Sequence, residues 1–98
     1  MKKRIKVSEL PAFDAARYLA DDEAVAAYLT DILEGDDPGL LAAALGDIAR
    51  ARGMSEIAKA AGITREALYK ALRPGSAPRL ETVKKVCSAL GLRLVVQA

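Results

Sequence analysis

Apolar positions along most of this chain recur every three to four residues, the spacing of a single helix face. Val25, Tyr28, Leu29, Ile32 and Leu33 make one such stripe. It follows Asp21, a helix-capping residue type, with Asp22 and Glu23 suited to the positive helix end, and Gly35 stops it. Leu41, Leu45 and Ile48 make a second stripe behind Asp37 and Pro38, a cap and a first-turn proline, and Gly53 ends that helix. A short helix is predicted next, capped by Ser55, with Ile57, Ala58 and Ala61 inward. Gly62 breaks it, Ile63 packs the turn, and Thr64 caps a further helix carrying Leu68 and Leu72 inward. After the loop "RPGSAP", the residues from Leu80 through Val83, Val86, Cys87 and Leu90 predict a last helix closed by Gly91. Cys87 falls in that apolar stripe and reads as a buried structural thiol.

The two ends carry different patterns. "RIKV" at 4–7 is a candidate short strand, and "DAARYLA" at 14–20 a short first helix. The tail "LRLVVQ" is β-branched and alternating, which predicts a strand. A lone strand leaves its backbone groups unpaired, so this one must join residues 4–7 or another chain. The expectation is a mainly α single domain over 1–98 with short N- and C-terminal strands. With five to six helices in all, 1–37 is an acidic helical extension, 38–91 a helix-turn-helix unit, and 92–98 the terminal strand.

Composition narrows the chemistry. The 98 residues suit one domain, and 52% hydrophobic content supports a packed core. No apolar run reaches the ~18 residues of a membrane span, and the basic start lacks the apolar stretch of a secretory signal. With a single cysteine there is no intrachain disulfide framework. These points favour the cytoplasm. With no histidine and one cysteine, the usual zinc sites and histidine-based nucleophile systems are out of reach of this chain alone. The carboxylates around "GDDPG" do not follow the calcium-loop pattern, which requires a glutamate at its twelfth position. No cofactor is predicted, and the chain does not read as an enzyme.

Charge changes the picture more than its total suggests. The net value is +2, yet residues 1–7 hold four basic groups, residues 8–47 hold ten acids and one base, and residues 48–98 hold ten bases and three acids. Such asymmetry suggests two surfaces with different partners, although charge also serves simply to solvate helix faces.

The stretch "AKAAGITREALYKAL" is where the basic half acquires a shape. A helix-turn-helix needs a small residue under the crossing, a turn residue that tolerates positive φ, and an apolar plug; Ala58, Gly62 and Ile63 supply them, with Leu68 as anchor. Helical spacing then turns Arg65, Glu66, Tyr69 and Lys70 outward, with Arg73 just beyond. Arginine can pair bidentately with guanine and glutamate can accept from cytosine N4. Tyr69 suits a phosphate or thymine-methyl contact, and equally suits covering the core. Lys70, Arg73, Arg79, Lys84 and Lys85 suit phosphates, each adding salt-sensitive affinity.

Residues 38–91 resemble the five-helix domain of the Cro and lambda-repressor type. More narrowly, "FDAARYL", "AAYLTDIL", "LLAAALGDIARARGMSEIAKAAGITREALYKAL" and "TVKKVCSALGLRL" resemble the addiction-module antidote proteins, HigA-like antitoxins that carry such a domain. The resemblance implies a lambda-repressor-like DNA-binding fold, a homodimer on its own operator DNA, and capture of a small basic toxin of the RelE/ParE class. It puts Arg65 and Glu66 at base-reading positions and Ser55 where the preceding helix grips a phosphate. Relatives often carry glutamine just before that serine; here the residue is Met54, which has no polar group to offer. Arg79 stands where a serine or threonine cap is common. The acids Asp21, Asp22, Glu23, Asp31, Glu34, Asp36 and Asp37 suit steering of a basic partner, and equally suit capping and solubilising the helices. Two other readings fit the same residues: a prophage-type regulator with no toxin, and a helical interaction module whose corner is purely structural.

Overall fold

The helices begin where the sequence supplies a cap. The computed structural model describes residues 19–98, and among them there are five α-helices: α1 (Asp22–Glu34), α2 (Pro38–Arg52), α3 (Met54–Ala61), α4 (Arg65–Ala71) and α5 (Leu80–Ala89). Asp21 accepts from the backbone N–H groups of Glu23 and Ala24 at 2.9 and 3.2 Å, which starts α1. Asp37 accepts from the Leu40 N–H at 3.1 Å and Pro38 occupies the first turn of α2. Thr64 accepts from the Ala67 N–H at 3.0 Å and starts α4. Each cap satisfies an N–H that a helix end otherwise leaves unpaired.

Ser55 does not cap α3, contrary to the expectation. Gly53 takes φ +100°, which closes α2 and opens α3 at a single residue, so the helix restarts at Met54 and Ser55 becomes its second residue. This early start also accounts for the methionine. Met54 is buried in the core cluster, where a polar side chain would go unsatisfied. Arg79 precedes α5 with no side-chain cap, as its residue type implies.

One core joins all five helices. Val25, Leu29 and Ile32 of α1 meet Leu45 and Ile48 of α2, Ile57 and Ala58 of α3, Leu68 and Leu72 at α4, and Val83, Val86 and Cys87 of α5. The central α3 packs on α2, α4 and α5. Leu33 shares the helical spacing of the α1 stripe but lies at its margin, exposed. Burial raises the Cys87 thiol above its ordinary pKa, since the charged thiolate loses solvation there.

Only the last two residues of the predicted 14–20 helix are described; Leu19 and Ala20 are helical, while the 4–7 strand lies outside the described residues. Leu19 enters the core, and its carbonyl accepts from Arg52 Nε at 3.1 Å. Arg52 Nη2 also sits 2.7 Å from Asp22 Oδ1, a charge contact not aligned as a hydrogen bond. The end of α2 thus fastens the acidic segment to the core.

The predicted C-terminal strand is not formed as a strand among the described residues. The Leu92 N–H bonds the Cys87 carbonyl at 2.9 Å and closes α5; residues 93–98 then run on exposed, outside any helix or sheet. The reason is pairing: strand structure is a property of two segments, and 19–98 supply no partner segment. Among the described residues no helix is long and apolar enough to cross a membrane.

Candidate nucleic-acid interface

The corner between α3 and α4 is set by three residues. Gly62 takes φ +74° and ψ +28°, the left-handed conformation that glycine enters without steric cost. Its successor Ile63 donates its N–H to the Ala58 carbonyl at 3.0 Å and packs against the core. Ala58 is buried beneath this turn, where a larger side chain has no room. The chain is thereby reversed in three residues, and Leu68, fully buried, orients α4 about its own axis.

With Leu68 facing inward, Arg65, Glu66, Tyr69 and Lys70 are all exposed, and Arg73 extends the same charged run past the helix end. Tyr69 is 43% exposed, so it does not serve mainly as core cover. Instead it holds its neighbour one turn back. Arg65 Nη2 donates to the Tyr69 hydroxyl at 3.2 Å, and the guanidinium carbon lies 5.3 Å from the ring centroid. The hydrogen bond to Tyr69, and then the charge interaction with the same residue, raise the Arg65 pKa further, so the group stays a cation.

The other predicted site residues divide by location. Thr64 is at the start of α4, its hydroxyl oxygen engaged as the cap. Ser55 is exposed in the first turn of α3 and Arg79 is exposed just ahead of α5. On α5, Lys85 pairs with Glu81 at 3.3 Å across one helical turn, while Lys84 is exposed beside it. A cleft of about 520 Å³ opens between the end of α2, the start of α3 and the flank of α4; Glu66, Tyr69, Lys70 and Arg73 line it, and Ser55 and Arg79 do not. Arg50 of α2 lines the same cleft. It was absent from the sequence-derived site because it precedes Lys70 by many residues and belongs to another helix. Its type and its place in the last turn of α2 were the available signals.

Comparison with known proteins bears on this surface. A family profile described as probable addiction module antidote protein matches residues 9–98. An uncharacterized protein of Haemophilus influenzae (strain ATCC 51907 / DSM 11121 / KW20 / Rd) is 51% identical over 89 residues, covering 91% of this chain and 92% of that protein. No solved structure matches the chain. The match runs through every described helix and the exposed α4 surface alike, and the chain belongs to the probable addiction module antidote proteins.

Proposed function

We propose that this chain is the antitoxin of a type II toxin-antitoxin module, neutralising a small basic toxin of the RelE/ParE class and repressing its own operon as a DNA-bound homodimer. In this reading α3 and α4 are a helix-turn-helix of the Cro and lambda-repressor type, and the protein performs no catalysis. The observation that carries the DNA part is the split of α4: its inward anchor Leu68 is fully buried, while Arg65, Glu66, Tyr69 and Lys70 all stand in solvent. A helix that enters the major groove contacts base edges with such residues near its N-terminal end. Arg65 reads guanine, Glu66 accepts from cytosine N4, and Lys70, Arg73 and Arg79 hold phosphates, with Ser55 and Thr64 at the two helix starts adding hydroxyl contacts.

Family membership supports a toxin partner in general. Acidic α1, with Asp31 and Glu34, suits attraction of a basic protein. The exposed tail residues Leu94, Val95 and Val96 suit strand pairing between two copies, which would place recognition helices on half-sites about 34 Å apart. Co-expression with the product of the adjacent reading frame tests the reading as a whole. Co-purification, together with a size consistent with a dimer that grows on adding upstream DNA, is the expected result. A protein that binds upstream DNA without retaining the neighbour's product is a regulator with no toxin. One that binds neither, at any salt concentration, is a helical interaction module with a structural corner.

A further inference from the structure

We infer that Arg50, with Lys70 and Arg73, forms a seat for a DNA backbone phosphate beside the recognition helix, an inference that rests on the DNA-binding reading above. The cleft has an apolar floor and a cationic rim. Met54, buried, with Leu72 and Pro74, supplies the floor; Arg50 comes from α2, Lys70 from the last turn of α4, and Arg73 from just past its end. Three cations from two different elements converge where the sequence alone shows two.

Arg50 is held in place. Its Nη2 donates to Asp47 Oδ1 at 2.6 Å, one turn earlier on α2. Its guanidinium lies across Gly46, where a Cβ would stand 3.3 Å from Nη1 and 3.2 Å from the Leu72 carbonyl oxygen. Asp47 uses one of the five N–H donors of a guanidinium, leaving others for a second anion. An arginine already fixed loses less side-chain freedom when it binds.

Glu66 also lines the cleft, and its carboxylate opposes an anion. It stands in the first turn of α4, whereas Arg73 follows the end of that helix. In this seat the anion sits toward Arg73, and Glu66, one turn before Lys70, lies on the side of the bases. This arrangement, cations flanking and mixed polar groups ahead, matches a duplex, in which phosphates border the groove whose base edges are read.

The alternative is that Arg50 only pairs with Asp47 and complements the negative end of α2. Salt dependence separates the two. Binding of the wild type, Arg50→Gln and Arg50→Lys to a duplex of the DNA upstream of the coding sequence, and to a random duplex, is measured over a salt series. Arg50→Gln is expected to weaken binding to both duplexes by the same factor and to make the slope of log K against log salt shallower by about one. Arg50→Lys keeps the charge and is expected to keep the slope. An unchanged slope in Arg50→Gln, or equal losses in both variants with lowered Tm, would overturn the seat while leaving DNA binding by α4 intact. A wild type that binds neither duplex would overturn the DNA reading, and the seat with it.

Discussion

Helices α1 and α4 both present charged residues to solvent, but they use them differently. On α1 the acids at its start serve the fold: Asp21 caps it and Asp22 meets Arg52, which also holds the Leu19 carbonyl. On α4 the cap is a neutral threonine, and the one polar contact between its charged face and itself, Arg65 to Tyr69, shapes that face without tying it to the core. Charge invested in folding and charge left for a partner can therefore be separated by substitution, because the first changes stability and the second does not.

The largest stability effect belongs to the anchor beneath the α4 face. Leu68→Ala removes a fully buried side chain and is expected to cost about 2–5 kcal/mol in denaturant unfolding. A loss below 1 kcal/mol would mean that α4 is not oriented by this residue. Next comes the corner. Nothing lies within 4 Å of a Cβ placed on Gly62, so Gly62→Ala meets no clash and carries only the left-handed conformational cost, about 1–2 kcal/mol. A neutral result would show that the turn relaxes out of the left-handed region.

The comparison between the two helices is sharpest in a matched pair of truncations. Asp21→Ala loses the α1 cap and is expected to cost about 1 kcal/mol. Glu66→Ala, exposed on α4, is expected to stay within about 0.5 kcal/mol of the wild type. Equal losses would erase the distinction drawn here. The smallest effect is one of pH. Because burial raises the Cys87 pKa, the folded state favours the neutral thiol, while the unfolded thiol ionises at lower pH. Stability is then retained below about pH 8.5 and declines as pH rises above it, and Cys87→Ala should flatten that decline. A Tm that falls equally in both proteins would assign the loss to other groups.

Much of this could be read from residue order, since local signals decide local structure. The Asp37–Pro38 start, the Thr64 cap, the Gly62–Ile63 turn and the stripes ending in Leu68 and Val86 each act within a turn or two of helix. Where the reading missed, a non-local or competing influence had prevailed. Ser55 is a good cap by type, but the backbone of Gly53 had already restarted the helix. Val95 and Val96 favour a strand whose expected partner, residues 4–7 or another chain, lies outside the described residues, so that expectation is not among the misses. Arg50 joins the Lys70 cleft because α3, packed on both α2 and α4, brings the end of α2 to the flank of α4, which no spacing rule along the chain reveals. The Arg65–Tyr69 contact follows i,i+4 spacing and was open to view, yet the tyrosine ring suited the core equally until its exposure was known.

The central claim, that the outer face of α4 is a DNA-reading surface, is tested most directly by equilibrium binding of Arg65→Ala with Lys70→Ala to the upstream duplex, measured by fluorescence anisotropy beside a thermal melt. The account predicts roughly 100-fold weaker binding or more, a shallower salt dependence, and an unchanged melting temperature. Binding as tight as that of the wild type would contradict it.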